Sequence, residues 1–282
     1  MSDDDKLWFG DLYHLVLDYD GENLLDDVLM GWLSDGEEIM RLLAPAKRLS
    51  ATPEDKDEKQ FILWDLYALS RISDFLLLAF QSNESNKWDG PSISSDQFLS
   101  FFEKLGFNRF EPRNGDRFSP FHHEVVSVTI SENPKEPISI LQAQWPGLMY
   151  GEMLFARSGV KVKGGANFIN KAVAETSTLY FAHRRLNRPT EDLSIGWGHN
   201  SQWRTDFRRD YELDGQLLFN VDGKTELSTN ASYADLGTLS KEEQLELCVN
   251  RCFIKTEKPH ADLWPYDKKL TIPAENLKGM AR

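Results

Sequence analysis

The spacing of apolar residues changes at Gly106, and that change limits the chain more than any other feature. Before it, apolar residues recur at helical intervals: Leu12, Leu15 and Val16, then Leu24, Leu25, Val28, Leu29, Trp32 and Leu33, then Ile39, Leu42 and Leu43. This stretch fits two or three short helices. A polar segment, Leu49 to Lys59, follows, and Ser50 or Thr52 ahead of Pro53 and Glu54 reads as a helix start. The helix it opens, about Glu54 to Gln81, carries Phe61, Ile62, Trp64, Leu66, Tyr67, Leu69, Ile72, Phe75, Leu76, Leu78 and Phe80, too many for a helix that leaves one side in water. It must be covered on several faces. After a loop from Ser82 to Ser94, a shorter amphipathic helix runs from Ser95 to Leu105. Gly106 stops it, because glycine takes the left-handed position after a helix without steric cost.

Beyond Gly106 the period becomes two. Val125, Ser127 and Thr129 alternate with Val126, Val128 and Ile130, and Ile138 to Gln144 behaves likewise. Met149–Ala156, Gly159–Lys163, Thr178–His183, Ser194–His199, Asp206–Leu213 and Gln216–Val221 read as further strands. Asp214-Gly215 and Asp222-Gly223 have the composition of type I′ hairpin turns. Ser240, with Glu243 three residues on, forms a capping box that opens a helix to about Phe253, and the tail from Lys255 reads as irregular. The expectation is an α+β protein: a helical region over 1–107, a mostly antiparallel β-rich region over 108–239, and a C-terminal helix with an irregular tail over 240–282.

With 282 residues, 40% of them hydrophobic, the chain can bury a core without disulfides or metals. Its net charge of −13 repels phosphate backbones and anionic lipid, so neither nucleic acid nor a membrane surface is the expected partner. No apolar run approaches the roughly 20 residues of a membrane span, and the acidic start is unlike a secretory signal. A cytoplasmic protein is expected. Cys248 and Cys252, in a predicted helix and without companion ligands, read as reduced core cysteines, and no metal or cofactor is expected. His183, Arg184, Arg185 and Arg188 form the densest basic cluster and read as a solvated loop.

The most specific stretch runs from Leu105-Gly106-Phe107 through Phe110-Glu111-Pro112 and Gly115 to Phe118-Ser119-Pro120, then His123-Glu124 and Val126. Glycine and proline fix an extended crossing, and His-Glu opens a strand. This resembles the junction in GrpE-type nucleotide exchange factors of the DnaK chaperone, where Phe-Asp-Pro-x-x-His-Glu-Ala-Val enters the β domain. Gly147, Tyr150, Gly151, Leu154, Phe155, Val160 and Val162 sit similarly to the family's next turn and strands. The likeness covers at most about Gln60 to Val162. Ser119 replaces the usual Asp, Glu152 stands where Arg is usual, and the residues from Lys163 onward have no counterpart. The resemblance implies a non-enzymatic adaptor that opens the nucleotide-binding domain of a DnaK-type chaperone and releases ADP. It also implies Met149, Glu152, Phe155 and Arg157 as contacts. The family's long dimerising helix has no counterpart, so the resemblance implies a monomer or a dimer unlike the family's.

Other patterns leave alternatives open. The run from Gly196 to Tyr211 is rich in interface residue types, with Trp197, Trp203, Arg204 and Arg208 as anchors, or is a tight loop held by buried Trp and an Arg/Asp network. Asp11, Asp18, Asp20, Asp26 and Asp27 suit a basic partner, as on an immunity protein that masks a toxin, and equally suit solubility. A hydrolase would need His199 or His123 in a pocket with a polar partner, but the chain carries no GxSxG, HExxH or Walker motif. His123 reads as structural, its ring bonded to backbone at the entry to the sheet.

Overall fold

The computed structural model describes residues 8–81, 88–176, 181–187, 205–227, 239–256 and 268–280, which fall into two units. Among the described residues, the first unit holds those up to Arg109, Leu148–Ala156 and 205–208, and the second holds those of 110–147, 157–187 and from Arg209 on. The fold is α+β, with helices first, then mostly antiparallel sheets and a short C-terminal helix.

The first unit is built on α1 (Trp8–Leu17), α2 (Met30–Trp32), α3 (Gly36–Leu43), α4 (Lys56–Gln81) and α5 (Ser95–Lys104), with a π-helical turn at Leu25–Leu29. Helix α4 starts later than its sequence suggests. The side chain of Asp55, not Ser50 or Thr52, accepts the amides of Asp57 and Glu58 at 3.0 and 2.9 Å. Leu63, Leu66, Leu69, Ile72, Phe75, Leu76, Leu77 and Leu78 of α4 are all buried, so the helix is covered on several faces as its composition requires. Helix propensities differ by only about 0.7 kcal/mol among ordinary residues. Burial of one such side chain contributes about 1.5–3 kcal/mol. Packing therefore decides this helix. Helix α1 supplies much of the cover: Phe9, Leu12, Tyr13 and Val16 are buried, and the Tyr13 ring meets Phe75 edge-on with centroids 6.0 Å apart. Helix α5 begins in a reciprocal capping box between Ser94 and Gln97 and ends at Gly106, whose φ is +86°.

The strands in chain order are β1 (Asn108–Phe110), β2 (His123–Ile130), β3 (Ser139–Trp145), β4 (Gly147–Tyr150), β5 (Met153–Ala156), β6 (Ser158–Gly164), β7 (Asp210–Leu213), β8 (Gln216–Phe219), β9 (Thr225–Glu226) and β10 (Lys268–Pro273). Met149 to Ala156, which reads as one strand, is a hairpin of β4 and β5 belonging to the helical unit. Gly151 makes the turn: its φ is +62°, and a Cβ there would lie 2.5 Å from the Lys47 carbonyl oxygen.

In the second unit β6 is central to a three-stranded sheet, parallel to β2 and antiparallel to β3. Its core is Val125, Val128, Ile140, Val160 and Val162, packed with Leu247, Cys252, Phe253 and Ile254. The free edge of β2 is capped by a short helix that its sequence does not announce, α6 (Lys171–Glu175). Glu175 accepts the Val128 amide at 2.7 Å and the Lys171 ammonium donates to the Val128 carbonyl at 2.9 Å, so two side chains do the work of a strand. The segment read as a strand over Thr178–His183 is helical from Phe181, forming α7 (Phe181–Asn187). Ala182, Arg184, Arg185 and Leu186 are good helix formers, and no β-branched residue occurs in α7.

Strands β7 and β8 join through Asp214 and Gly215, with φ of +49° and +72°, the expected type I′ turn. Asp222-Gly223 does not make a second hairpin. Gly223 lies there because a Cβ would meet the Lys268 backbone at 2.8 Å, and β9 runs on to pair in parallel with β10. The C-terminal helix of the capping box, α8 (Lys241–Asn250), ends earlier than expected at Arg251, whose φ is +61°. Cys248 and Cys252 are buried and unbridged. The tail is not wholly irregular. Leu270 and Ile272 alternate into the core in β10, antiparallel to β8, and α9 (Ala274–Met280) follows. No described helix is long and apolar enough to cross a membrane.

One buried carboxylate in α4 makes the first unit pH-sensitive. Asp65 accepts a hydrogen bond from the Phe9 amide while its Oδ1 has no partner, and burial pushes its pKa up to about 7 from an ordinary 3.8. The folded state thus holds this proton over a range where the unfolded state has lost it, and stability from this group falls as pH rises from about 4 to 7. Asp65→Asn is expected to match the wild type at pH 4 and to exceed it at pH 8, by on the order of 3–4 kcal/mol in urea unfolding.

Candidate functional site

The β4–β5 hairpin carries the residues that the GrpE resemblance nominates. The Glu152 amide donates to the Lys47 carbonyl at 2.8 Å, and the Lys47 ammonium lies 4.9 Å from the centre of the Tyr150 ring. Tyr150 stacks on Phe107 with centroids 4.4 Å apart, and Phe155 lies against Phe102, Phe107 and Phe207 at 5.7, 4.7 and 5.6 Å. This aromatic cluster packs against the hairpin. It also buries Phe155 to 4% exposure, so that ring is part of the core and not a contact surface. Met149 and Glu152 are half-buried and keep part of their surface open.

Arg157, the residue after β5, is buried as well. Its Nε donates to the Pro120 carbonyl at 2.9 Å and its terminal nitrogen reaches Asp210 Oδ2 at 3.4 Å. Arg251 donates to the same oxygen from two nitrogens, at 3.2 and 2.8 Å, and the Asn220 amide fills Asp210 Oδ1 at 2.7 Å. Asp210 is 0% exposed. Arg157 therefore braces the interior of the second unit and offers no surface to a partner. The reason is charge: a fully buried carboxylate needs fixed cations and donors around it.

Of the Trp/Arg run, Trp197, Trp203 and Arg204 lie outside the described residues, and Arg208 is half-buried. The adjoining residues do form an Arg/Asp network. Arg209 makes a two-pronged bond to Asp222, both distances 2.8 Å. The basic cluster is not a solvated loop at Arg185, which is buried on α7, grips both oxygens of Glu124 at 2.7 and 3.2 Å and lies over Trp145 at 5.3 Å.

The Phe118-Ser119-Pro120 turn explains the His-Glu pair that follows it. The His122 and His123 amides both donate to the Ser119 carbonyl, at 3.1 and 2.8 Å, and the Ser119 amide donates to His123 Nδ1 at 2.9 Å. His123 thus closes the turn onto its own start, with its ring bonded to backbone. Burial foremost, then the charges of His122 and Arg157, push its pKa down to about 3, so it stays neutral. Ser in place of Asp keeps a short oxygen-bearing side chain at the head of the turn, where either type caps.

His122 faces the other way, into a cavity of about 220 Å³ in the second unit bordered by Arg117, Phe118, Ser119, Ile138, Glu212, Leu217 and Leu277. Its Nδ1 is 3.1 Å from Ser119 Oγ and its Nε2 is 3.0 Å from Glu212 Oε2. That bond holds the Glu212 carboxyl below its usual range. Glu212 lies 90 residues from its partner, and nothing in its surroundings in the sequence marks it.

No protein-family model matches this chain, and no solved structure matches it. Over 55 residues the chain is 38% identical to Protein GrpE of Polynucleobacter asymbioticus. A segment of this chain is similar to GrpE. The match covers 19% of this chain and 30% of that protein's length.

Because His123 is neutral when folded and takes a proton near pH 6.5 when unfolded, its contribution to stability is complete above that pH and is lost as pH falls toward 3. The loss is about 1.4 kcal/mol per pH unit. His123→Asn, which keeps an acceptor for the Ser119 amide, is expected to show a shallower fall than the wild type in acid unfolding curves compared at matched pH.

Proposed function

We propose that this protein is a GrpE-like adaptor of a DnaK-type chaperone that promotes ADP release by binding alone. The observation that carries the reading is the sequence match to Protein GrpE, supported by a turn of the Phe-x-Pro-x-x-His-Glu type that His123 closes onto the Ser119 backbone. The exchange step needs no bond chemistry: the adaptor binds the open state of the chaperone's nucleotide-binding domain more tightly than the closed one, and that difference sets how far the equilibrium moves. The contact surface in this reading is the face of the hairpin that shows Met149 and Glu152, packed against the aromatic cluster. Packing that pre-orders a binding segment lowers the ordering cost of binding.

A second reading rests on the first unit, where Asp11, Asp18, Asp20, Asp26 and Asp27 are all exposed. They would suit an immunity-type protein that neutralises a basic toxin, in which charge steers association and raises the on-rate.

Release of a fluorescent ADP analogue from a DnaK-type chaperone of the same cell separates the two. The adaptor reading expects acceleration by the wild type, with at least a tenfold smaller effect for Glu152→Arg combined with Met149→Asp at unchanged circular dichroism. No acceleration with cognate chaperones would end it. The second reading expects tight, salt-sensitive binding to a basic toxin, lost when the five aspartates are changed to Asn.

A further inference from the structure

We infer that Ser119, His122 and Glu212 form a nucleophilic site for hydrolysis of small carboxylic esters, in the cavity bordered by Arg117, Ile138, Leu217 and Leu277. The chain of contacts runs in the order such chemistry needs: hydroxyl, imidazole, carboxylate, at 3.1 and 3.0 Å. An ionised carboxylate can only accept, so Glu212 takes the N–H of His122 Nε2. The Nδ1 lone pair is then left facing the Ser119 hydroxyl. The His122 amide also points at Ser119 Oγ, but at 3.4 Å this is a long contact, and it occupies a lone pair and not the hydroxyl proton. His123 cannot share the task, because its Nδ1 is committed to the Ser119 amide.

Accessibility separates this group from the buried polar networks of the same unit. The side chains of His122 and Glu212 are 27% and 41% exposed, whereas those of Arg157 and Asp210 are 3% and 0%. Apart from Arg117, the remaining walls of the cavity are apolar, and about 220 Å³ suits a short acyl chain. Arg117, which is exposed and borders the cavity, is a cation available to an oxyanion formed there.

The step balances as follows. Ser119 Oγ bonds to the ester carbonyl carbon while its proton passes to His122 Nδ1. The tetrahedral oxyanion collapses, the ester C–O bond breaks, and the imidazolium returns the proton to the departing alkoxide as free alcohol. Water, deprotonated by His122, then attacks the acyl-Ser119. The carboxylic acid leaves and Ser119 recovers its proton.

The test treats the full chain with p-nitrophenyl butyrate and, separately, with a biotinylated fluorophosphonate followed by peptide mass spectrometry. The wild type is expected to release p-nitrophenolate and to carry the adduct on Ser119, and Ser119→Ala to lose both. Ser119 also caps its turn, so Glu212→Gln serves as the second variant. It keeps a hydrogen-bonding partner for His122, removes the charge, and is expected to lower kcat/KM by about 100-fold without a change in circular dichroism. An unmodified Ser119 in folded wild-type protein, or equal ester hydrolysis by Ser119→Ala, would overturn the assignment.

Discussion

Asp210 is completely buried, and a carboxylate at that depth survives as an ion only if the protein replaces the water it has lost. The replacement is a backbone amide from Asn220 on one oxygen and the guanidinium groups of Arg157 and Arg251 on the other. Those partners come from the start of β6, the end of β8 and the end of α8, so one side chain ties together three segments far apart in the chain. Arg251 adopts a left-handed backbone conformation that costs a non-glycine residue free energy, and its two hydrogen bonds to Asp210 act against that cost. Arg157 also donates to the Pro120 carbonyl. The same node thereby anchors the turn that positions Ser119, His122 and His123.

This wiring changes how the GrpE-like features are understood. Phe155 and Arg157 sit where a partner contact is implied by resemblance, yet one belongs to an aromatic cluster and the other to the buried ion node. Of the four residues nominated there, Met149 and Glu152 keep part of their surface open. The Phe-x-Pro-x-x-His-Glu turn, in contrast, needs no partner to account for it. Proline presets the backbone, His123 closes the turn, and Glu124 is taken up by Arg185. The turn is thus accounted for by folding alone, and a sequence match over 55 residues does not by itself carry an activity.

How much was legible in the sequence follows from the range of the forces involved. Helices α4 and α5, the Gly106 stop, the Asp214-Gly215 turn and the Ser240/Glu243 capping box were readable because each is decided within a few residues. The hairpin turn at Gly151 was not, since what demands glycine there is the Lys47 carbonyl, about a hundred residues away in sequence. Helix α6 is five residues long, and what it does, capping the edge of β2 with Lys171 and Glu175, has no periodicity to detect. Strand β10 has only Leu270 and Ile272 to mark its inner face. The reactive-looking trio was half visible: Ser119 and His122 are neighbours on one turn, but Glu212 joins them only through the fold of β7. Charge pairs at separations of 41, 53 and 61 residues are likewise beyond any local pattern.

The measurement that bears most directly on this account is the urea unfolding free energy of Asp210→Asn beside the wild type at neutral pH. Removing the negative charge leaves Arg157 and Arg251 buried without their shared anion. The account predicts a loss of about 3–5 kcal/mol, the cost of breaking a buried ion pair from one side. A loss below about 1 kcal/mol, in the range of an exposed pair, would contradict it.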